Sequence, residues 1–168
     1  MKKLFLFILL SMGFYICHSQ VSNSRKKEHV LKLEKSNMEV YLSRDSVNNV
    51  YRSTSIWVGC NVGHTNTNEV EFRSVYFDFT RSMKLDSLFQ NLYDWIKGIE
   101  EFANSNPLIG QEIRLKSDYT LKKFDSYTRI ENTKINVQYT LQMNLLDIAD
   151  FKKLLLNYID QHQIRISL

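Results

Sequence analysis

Alternating apolar and polar residues between Ile135 and Met143 predict the clearest strand of this sequence. A period of two places one set of side chains on a single face of a strand and leaves the other face in water. Stretches rich in β-branched and aromatic residues predict further strands from Met38 onward. These strands cover residues 50–58, 69–81, 111–116, 119–124 and 127–132, with a bulge near Ser74. The apolar face of the first of them holds Val50, Thr54, Ile56 and Val58.

Apolar residues at steps of three and four predict two amphipathic helices, because that spacing lines one side of a helix. Asp86 is the predicted N-cap of the first helix, and Pro107 ends it because proline lacks the amide hydrogen. The second helix begins near Asp147, its predicted N-cap. The first stripe is Leu88, Leu92, Trp95 or Ile96, Ile99 and Ala103, and the second is Ile148, Phe151, Leu154, Leu155, Tyr158 and Ile159.

The order of these elements predicts a single α+β domain over residues 37–168. Antiparallel strands with one wet face need cover on the other face, and two helices supply that cover in a two-layer arrangement. We expect one mainly antiparallel sheet of about six or seven strands with both helices packed on one face. The hydrophobic pattern of residues 75–85 recurs at 135–145, which favours a duplicated strands-then-helix unit. Duplication is one interpretation, since any strand that leads into a helix shares part of this pattern.

A polar segment at residues 20–36 precedes the predicted domain. It contains the basic cluster Arg25, Lys26 and Lys27, which Glu28 interrupts. Because chain ends are commonly loosely ordered, we predict a frayed terminus or a short solvated helix here. A functional basic arm is the alternative, although Glu28 and Glu34 interrupt the cluster.

The first nineteen residues have the layout of a secretory signal peptide. Two lysines follow Met1, and residues 4–16 form an apolar run broken only by Ser11 and Gly13. That run is shorter than the roughly 17–25 residues of a membrane-spanning helix. The sequence Cys17-His18-Ser19-Gln20 places small residues at both positions that a signal peptidase reads, so we expect residues 1–19 to direct export and to be removed.

The two cysteines bear on the compartment. A lipoprotein anchored at Cys17 is the alternative, although Ile16 is larger than the small residue such a cleavage site requires. Removal of Cys17 with the signal leaves Cys60 alone, so the exported domain has no intramolecular disulfide. We therefore expect a periplasmic or secreted protein with no transmembrane helix after cleavage, whose stability comes from its core.

Charge and motifs exclude several kinds of partner and cofactor. Loss of Lys2 and Lys3 lowers the formal net charge from +4 to +2, which is too little to favour nucleic acid. The histidines of the exported chain, His29, His64 and His162, are far apart in sequence, and no motif for zinc or calcium is present. The five glycines form no phosphate or dinucleotide loop. The sequence therefore predicts no metal and no cofactor.

The best catalytic candidate is the loop at residues 59–64, which contains Cys60 and His64. A cysteine near a histidine can form a thiolate–imidazolium pair, and the thiolate is the nucleophile. Nucleophile and base usually meet from distant positions, however, and a lone cysteine at a strand end is commonly a small core residue. A small exported hydrolase that uses Cys60 and His64 is therefore the alternative function.

The lack of a convincing catalytic motif in a well-patterned exported chain favours a non-enzymatic binding domain. We expect it to bind another protein or a component of the bacterial cell envelope through the uncovered face of its sheet, as an inhibitor or immunity-type protein does. A structural subunit of an envelope assembly is a third hypothesis, and the sequence predicts no oligomeric state. Candidate residues on the uncovered face are Arg52, Arg73, Gln138 and Thr140.

Overall fold

Seven strands and two helices form the part of the chain that the structure describes. This computed structural model describes residues 23–36, 38–48, 50–60, 84–115, 119–132 and 140–168. The signal peptide predicted at residues 1–19 and the strand predicted at 69–81 lie outside these ranges. In chain order the elements are β1 (Asn23–Leu33), β2 (Met38–Val47), β3 (Val50–Cys60), α1 (Leu85–Asn104), β4 (Glu112–Leu115), β5 (Tyr119–Lys123), β6 (Thr128–Asn132), β7 (Thr140–Met143) and α2 (Leu145–Gln161).

The first three strands form an antiparallel meander in the order β1-β2-β3. Val40 lies opposite Leu31 on one side and Val58 on the other, so the three side chains share one face. Alternation along each strand sends the intervening residues to the opposite, outer face. A register shift between His29 and Leu31 adds one residue to β1, so Arg25, Lys27 and His29 lie on the outer face although Leu31 and Leu33 lie on the inner one. The buried members of the inner face are Leu31, Leu33, Met38, Val40, Leu42, Thr54, Ile56 and Val58.

A register shift interrupts the ladder between β2 and β3 near their turn. The pairing runs regularly as far as Asp45, then skips Arg52 of β3 and continues with Ser46 opposite Tyr51. One extra residue in a strand moves every side chain beyond it to the other face. This explains why Val50, which simple alternation places on the apolar face, is exposed.

The N-terminal segment forms a strand where the sequence predicted a loosely ordered terminus at residues 20–36. β1 pairs along its length with β2, and its residues Leu31 and Leu33 lie in the core. Tyr158 of α2 donates a hydrogen bond of 2.5 Å to Glu28 and so joins this strand to the helix layer. The prediction was wrong because charged residues occupy both faces at the start of β1, which hides the period of two.

The last four strands form a second antiparallel meander in the order β4-β5-β6-β7. Leu121 lies opposite Ile113 and Ile130, and Ile130 lies opposite Leu141. Leu121, Ile130 and Leu141 are buried, so this sheet also has one apolar face. The four strands correspond to those predicted at residues 111–116, 119–124, 127–132 and 135–143, of which the last is described from Thr140 onward.

Helix α1 buries the apolar stripe predicted from the sequence, but its N-cap is not the predicted Asp86. The cap is Lys84, which makes no side-chain cap bond. Asp86 lies in the first turn instead, where its carboxylate accepts a hydrogen bond of 3.1 Å from the backbone amide of Arg165. The C-terminal tail therefore closes over the start of this helix. The buried residues are Leu88, Phe89, Leu92, Tyr93, Trp95, Ile96, Ile99, Phe102 and Ala103.

Helix α2 begins with a capping box at Asn144, and Asp147 is its second member rather than the N-cap. The Asn144 side chain accepts a hydrogen bond from the Asp147 amide at 2.9 Å, and the Asp147 carboxylate accepts one from the Asn144 amide at 3.2 Å. Two backbone amides that lack helical partners are satisfied in this way. Of the predicted stripe, Ile148, Phe151, Leu155, Tyr158 and Ile159 are buried and Leu154 is exposed.

The two helices pack against each other and reach both sheets. Phe89 of α1 stacks on Tyr158 of α2 with ring centroids 5.4 Å apart, and Trp95 meets Phe151 edge-on at 5.9 Å. Helix α1 contacts β3 and β5, and α2 contacts β1 and β7. The buried side chains of these elements therefore form one hydrophobic core.

The described fold is α+β, as the sequence predicts, but the sheet arrangement differs from the prediction. The described strands form sheets of three and four strands instead of a single sheet, and each helix contacts both sheets. Among the described strands, pairing joins only neighbours in the chain, and β3 is not paired with β4. Neither described helix has the length and hydropathy that a membrane crossing requires.

Replacing Asn144 with alanine should lower the free energy of unfolding by about 1 kcal/mol, because the first turn of α2 loses its cap. Urea denaturation followed by circular dichroism measures this change. Asn157→Ala is the matched control, since Asn157 is exposed within the same helix and should affect stability little. Equal effects of the two substitutions would contradict the capping role of Asn144.

Replacing Tyr158 with phenylalanine should cost about 2 kcal/mol, because the hydrogen bond to the Glu28 carboxylate is lost while the stacking on Phe89 is kept. A double-mutant cycle with Glu28→Gln measures the coupling by urea denaturation. The double variant should be little less stable than Tyr158→Phe alone. Fully additive losses would show that this bond does not hold β1 against the helices.

Candidate functional site

Three of the six site residues predicted from the sequence lie within the described ranges, and three lie outside them. Arg52 is the extra residue of the bulge in β3, Cys60 ends β3 opposite Met38, and Thr140 begins β7 opposite Glu131. Those outside the described residues are His64, Arg73 and Gln138. The Cys60–His64 pair and the proposed face residues therefore stay predictions.

The outer face of the three-stranded sheet carries aromatic and cationic side chains in register. His29, Tyr41 and Trp57 lie directly opposite one another on β1, β2 and β3. Opposed side chains on neighbouring strands are about 5 Å apart, so these three rings form a row across the sheet. We call this surface the Trp57 face, and it comprises Arg25, Lys27, His29, Lys32, Glu39, Tyr41, Ser43, Asp45, Ser53, Ser55 and Trp57.

The indole of Trp57 lies across the middle strand. Its Nε1 donates a hydrogen bond of 2.7 Å to Ser55 Oγ. The guanidinium carbon of Arg25 and the Nζ atom of Lys27 lie 5.2 Å and 5.6 Å from the centre of the indole, within the range of a cation–π interaction. Those cations come from β1, about 10 Å from β3, so the ring reaches over β2. Ser43 of β2 is consequently buried although it belongs to the outer face.

Tyr41 is held by contacts with its ring and with its hydroxyl. His29 meets the Tyr41 ring edge-on, with centroids 5.2 Å apart. The hydroxyl donates a hydrogen bond to the Glu39 carboxylate. That hydrogen bond, together with burial and the charge of Glu39, raises the pKa of Tyr41 to about 12. Tyr41 therefore stays protonated and keeps its donor on Glu39 throughout the physiological range of pH.

The cations of the Trp57 face are neutralised only in part. Arg25 pairs through Nε with Asp45 at 2.8 Å, and its side chain remains 52% exposed. A guanidinium has four further N–H donors beyond Nε. Among the described residues, Lys27 has no carboxylate within ion-pair distance, and its ammonium is held over the indole. This face can therefore offer both side chains to an anionic group on a partner.

The outer face of the four-stranded sheet has a different character. Lys122 pairs with Glu112 at 3.6 Å between β5 and β4, and Arg129 pairs with Glu131 at 3.4 Å along β6. Opposite charges side by side on a sheet neutralise one another, and they leave a polar surface that is well hydrated. Among the described residues the two outer faces therefore differ chemically, and the Trp57 face carries large rings beside incompletely paired cations.

The chemistry of the Trp57 face suits recognition. Its functional groups are an indole, a protonated phenol, an imidazole, a guanidinium and an ammonium, which bind by burial, stacking and charge-assisted hydrogen bonds. In the ranges that the structure describes, no three His, Cys, Asp or Glu side chains lie close enough together to hold a metal ion.

Sequence reasoning missed this surface because β1 was assigned to a loose terminus. That assignment removed Arg25, Lys27 and His29 from any sheet. The charged residues between them, and the register shift between His29 and Leu31, hid the period of a strand, so the sequence offered no clear signal. The contacts with Trp57 could not be read from the sequence, since they join two strands that are not neighbours in the sheet.

Comparisons with known proteins add no relative. No family model matches the sequence, and searches of curated proteins and of solved structures found no match. Function must therefore be inferred from the chemistry of this chain alone.

Replacing Glu39 with glutamine should lower the pKa of Tyr41 from about 12 toward its ordinary value of 10.0, because a neutral amide favours the protonated phenol less than a carboxylate does. The pH titration of the Tyr41 ring signals by nuclear magnetic resonance measures the change. Glu112→Gln, on the other sheet, is the control and should leave the Tyr41 pKa unchanged. An unaltered pKa in Glu39→Gln would show that this bond does not fix the phenol.

Proposed function

We propose that this chain is an exported, non-enzymatic interaction domain that binds another protein through the Trp57 face. The observation that carries the proposal is the Trp57 indole, which spans β2 with Arg25 and Lys27 held over its ring. Export follows from the signal peptide predicted at residues 1–19, with a lipoprotein anchored at Cys17 as its alternative. An inhibitor or immunity-type protein that neutralises an enzyme or toxin belongs to this class.

The residue types on the Trp57 face support a protein partner. Tryptophan, tyrosine and arginine are the residues that most often dominate the energy of protein–protein interfaces. Here Trp57, Tyr41 and Arg25 are already bonded to neighbours on the same sheet. Side chains ordered before binding lose less entropy on association. A rigid aromatic centre surrounded by exposed cations therefore suits a preformed contact surface.

The charges of this face indicate the chemistry of its partner. The carboxylates of Glu39 and Asp45 already accept bonds from Tyr41 and Arg25. The ammonium of Lys27 and the remaining donors of Arg25 are the groups left for a partner. The proposed partner therefore presents one or more carboxylates beside an apolar patch that covers the indole.

We also propose that the two halves of the chain derive from one duplicated strands-then-helix unit. In each half an antiparallel meander precedes a helix. Matched positions of the two helices are buried in both copies. The pairs are Leu88 with Phe151, Leu92 with Leu155, Trp95 with Tyr158, and Ile96 with Ile159.

Affinity capture in the native host tests the binding proposal. The full chain, tagged after the exposed residue Leu168, is expressed in its own host, and the captured protein is identified by mass spectrometry and purified. Trp57→Ala should then weaken its binding about thirtyfold, as removal of a hot-spot tryptophan worth about 2 kcal/mol does. Lys27→Glu should weaken binding about tenfold, and added salt should weaken the binding of the unmodified protein.

The matched control is Lys153→Glu, an identical charge reversal at an exposed position of α2. It should bind the partner as the unmodified protein does. Because Trp57→Ala can also destabilise the sheet, circular dichroism must show that each variant is folded. Failure to retain a partner, or equal binding by Lys27→Glu and Lys153→Glu, would overturn the assignment of this face.

A further inference from the structure

One end of the four-stranded sheet exposes large aliphatic side chains from two separate segments of the chain. Leu108 and Ile109, which follow α1, are 78% and 71% exposed. Leu145 and Leu146, which open α2, are 56% and 69% exposed. Single exposed leucines are common on protein surfaces, but several large ones at one end indicate a contact.

The first pair is presented by an ordered turn. The backbone amide of Gln111 donates to the Leu108 carbonyl at 2.8 Å, and the Leu108 amide donates to the Gln111 side chain at 2.9 Å. Gly110 occupies the third position with φ 85°, as a type II turn requires. Ile109 therefore stands at the tip of a hydrogen-bonded turn.

Strand pairing brings the second pair to the same end of the sheet. The Gly110 amide donates to the Lys123 carbonyl at 2.8 Å. Lys123 pairs with Thr128, and Thr128 pairs with Met143, two residues before Leu145. Three strand spacings of about 5 Å therefore separate Gly110 from Met143, and both exposed pairs follow or precede these residues at the same end of the sheet.

An aromatic pair lies between the two exposed pairs, at the turn from β5 to β6. Phe124 and Tyr127 stack with ring centroids 4.9 Å apart, and the Arg129 guanidinium carbon lies 4.7 Å from the centre of the Phe124 ring. Both rings are half-buried. We call this surface the apolar end, and it comprises Leu108, Ile109, Phe124, Tyr127, Leu145 and Leu146.

We infer that the apolar end docks on the surface of a zwitterionic lipid bilayer. Leucine is under-represented among the dominant residues of protein interfaces, whereas leucine and phenylalanine are the residues that peripheral segments insert at the headgroup boundary. Four exposed aliphatic side chains are also few for a stable protein interface, which uses about 20–30 residues on each side. Two exposed aliphatic pairs at one end of the sheet, with half-buried aromatic rings between them, fit shallow insertion into lipid.

The charges beside the apolar end select the kind of bilayer. Lys122 is paired with Glu112 and Arg129 with Glu131. Lys123 lies two residues from Asp125 at the same turn. These opposite charges leave little net field, so attraction to anionic lipid is not the driving force. Burial of apolar side chains supplies the affinity, and binding should change little with salt.

Nuclear magnetic resonance tests this inference locally. The protein is purified from its own host, so that any processing has occurred, and is mixed with phosphatidylcholine bicelles that contain a spin-labelled lipid. The methyl signals of Leu108, Ile109, Leu145 and Leu146 should broaden strongly. Those of Val50, which is 56% exposed on the other sheet, should not. This readout is independent of any attachment through the N-terminal segment and of the protein partner proposed for the Trp57 face.

Flotation with phosphatidylcholine vesicles gives the matching affinity. The double variant Leu108→Asn, Ile109→Asn should bind at least about tenfold more weakly, because two exposed side chains lose their apolar contact with lipid. Val50→Asn is the matched control and should bind as the unmodified protein does. Unbroadened methyl signals, or equal flotation of the double variant, would overturn the inference. So would broadening that follows protein concentration without lipid, since a second copy would then be the occupant.

Discussion

The contact between the two helices is the constraint on which the rest of the structure depends. Helix α1 follows the three-stranded sheet in the chain and α2 follows the four-stranded sheet, yet each helix contacts strands of both sheets. Aromatic contacts between Phe89 and Tyr158 and between Trp95 and Phe151 join the helices. A hydrogen bond from Lys152 to Glu100 lies beside them and raises the pKa of Lys152. Because the helix pair buries the inner faces of both sheets in one core, both outer faces are left to water or to partners.

The outer faces of the two sheets differ in the side chains that they present to water. On the four-stranded sheet, opposite charges neutralise one another across and along the strands. On the three-stranded sheet, the Trp57 indole reaches over β2, where Ser43 is buried, and cations from β1 lie over the ring. A large ring held partly in water retains apolar area that a partner can bury. The difference between these faces, and not the fold class, is what favours an interaction function.

The helices could be predicted from the sequence because a stripe at steps of three and four is a local signal. The N-caps were missed by two residues in α1 and by three in α2, since Asp86 and Asp147 are acidic residues of the first turn and not caps. The β1 strand could not be predicted, because its early inner positions carry charge and are satisfied by distant groups such as Tyr158. The Trp57 face was missed for the same reason, since its chemistry depends on contacts across a strand. The bulge at Arg52 explains why simple alternation failed for Val50.

Site-specific photocrosslinking in the native host tests the central claim most directly. A photoreactive amino acid replaces His29 on the Trp57 face in one variant and Gln142 on the outer face of the four-stranded sheet in another. Both positions are exposed on a strand, so they differ mainly in which face they report. A discrete crosslinked protein from position 29, with little or none from position 142, is the expected result. Equal crosslinking from both positions, or crosslinking from position 142 alone, would contradict the assignment of the Trp57 face as the binding surface.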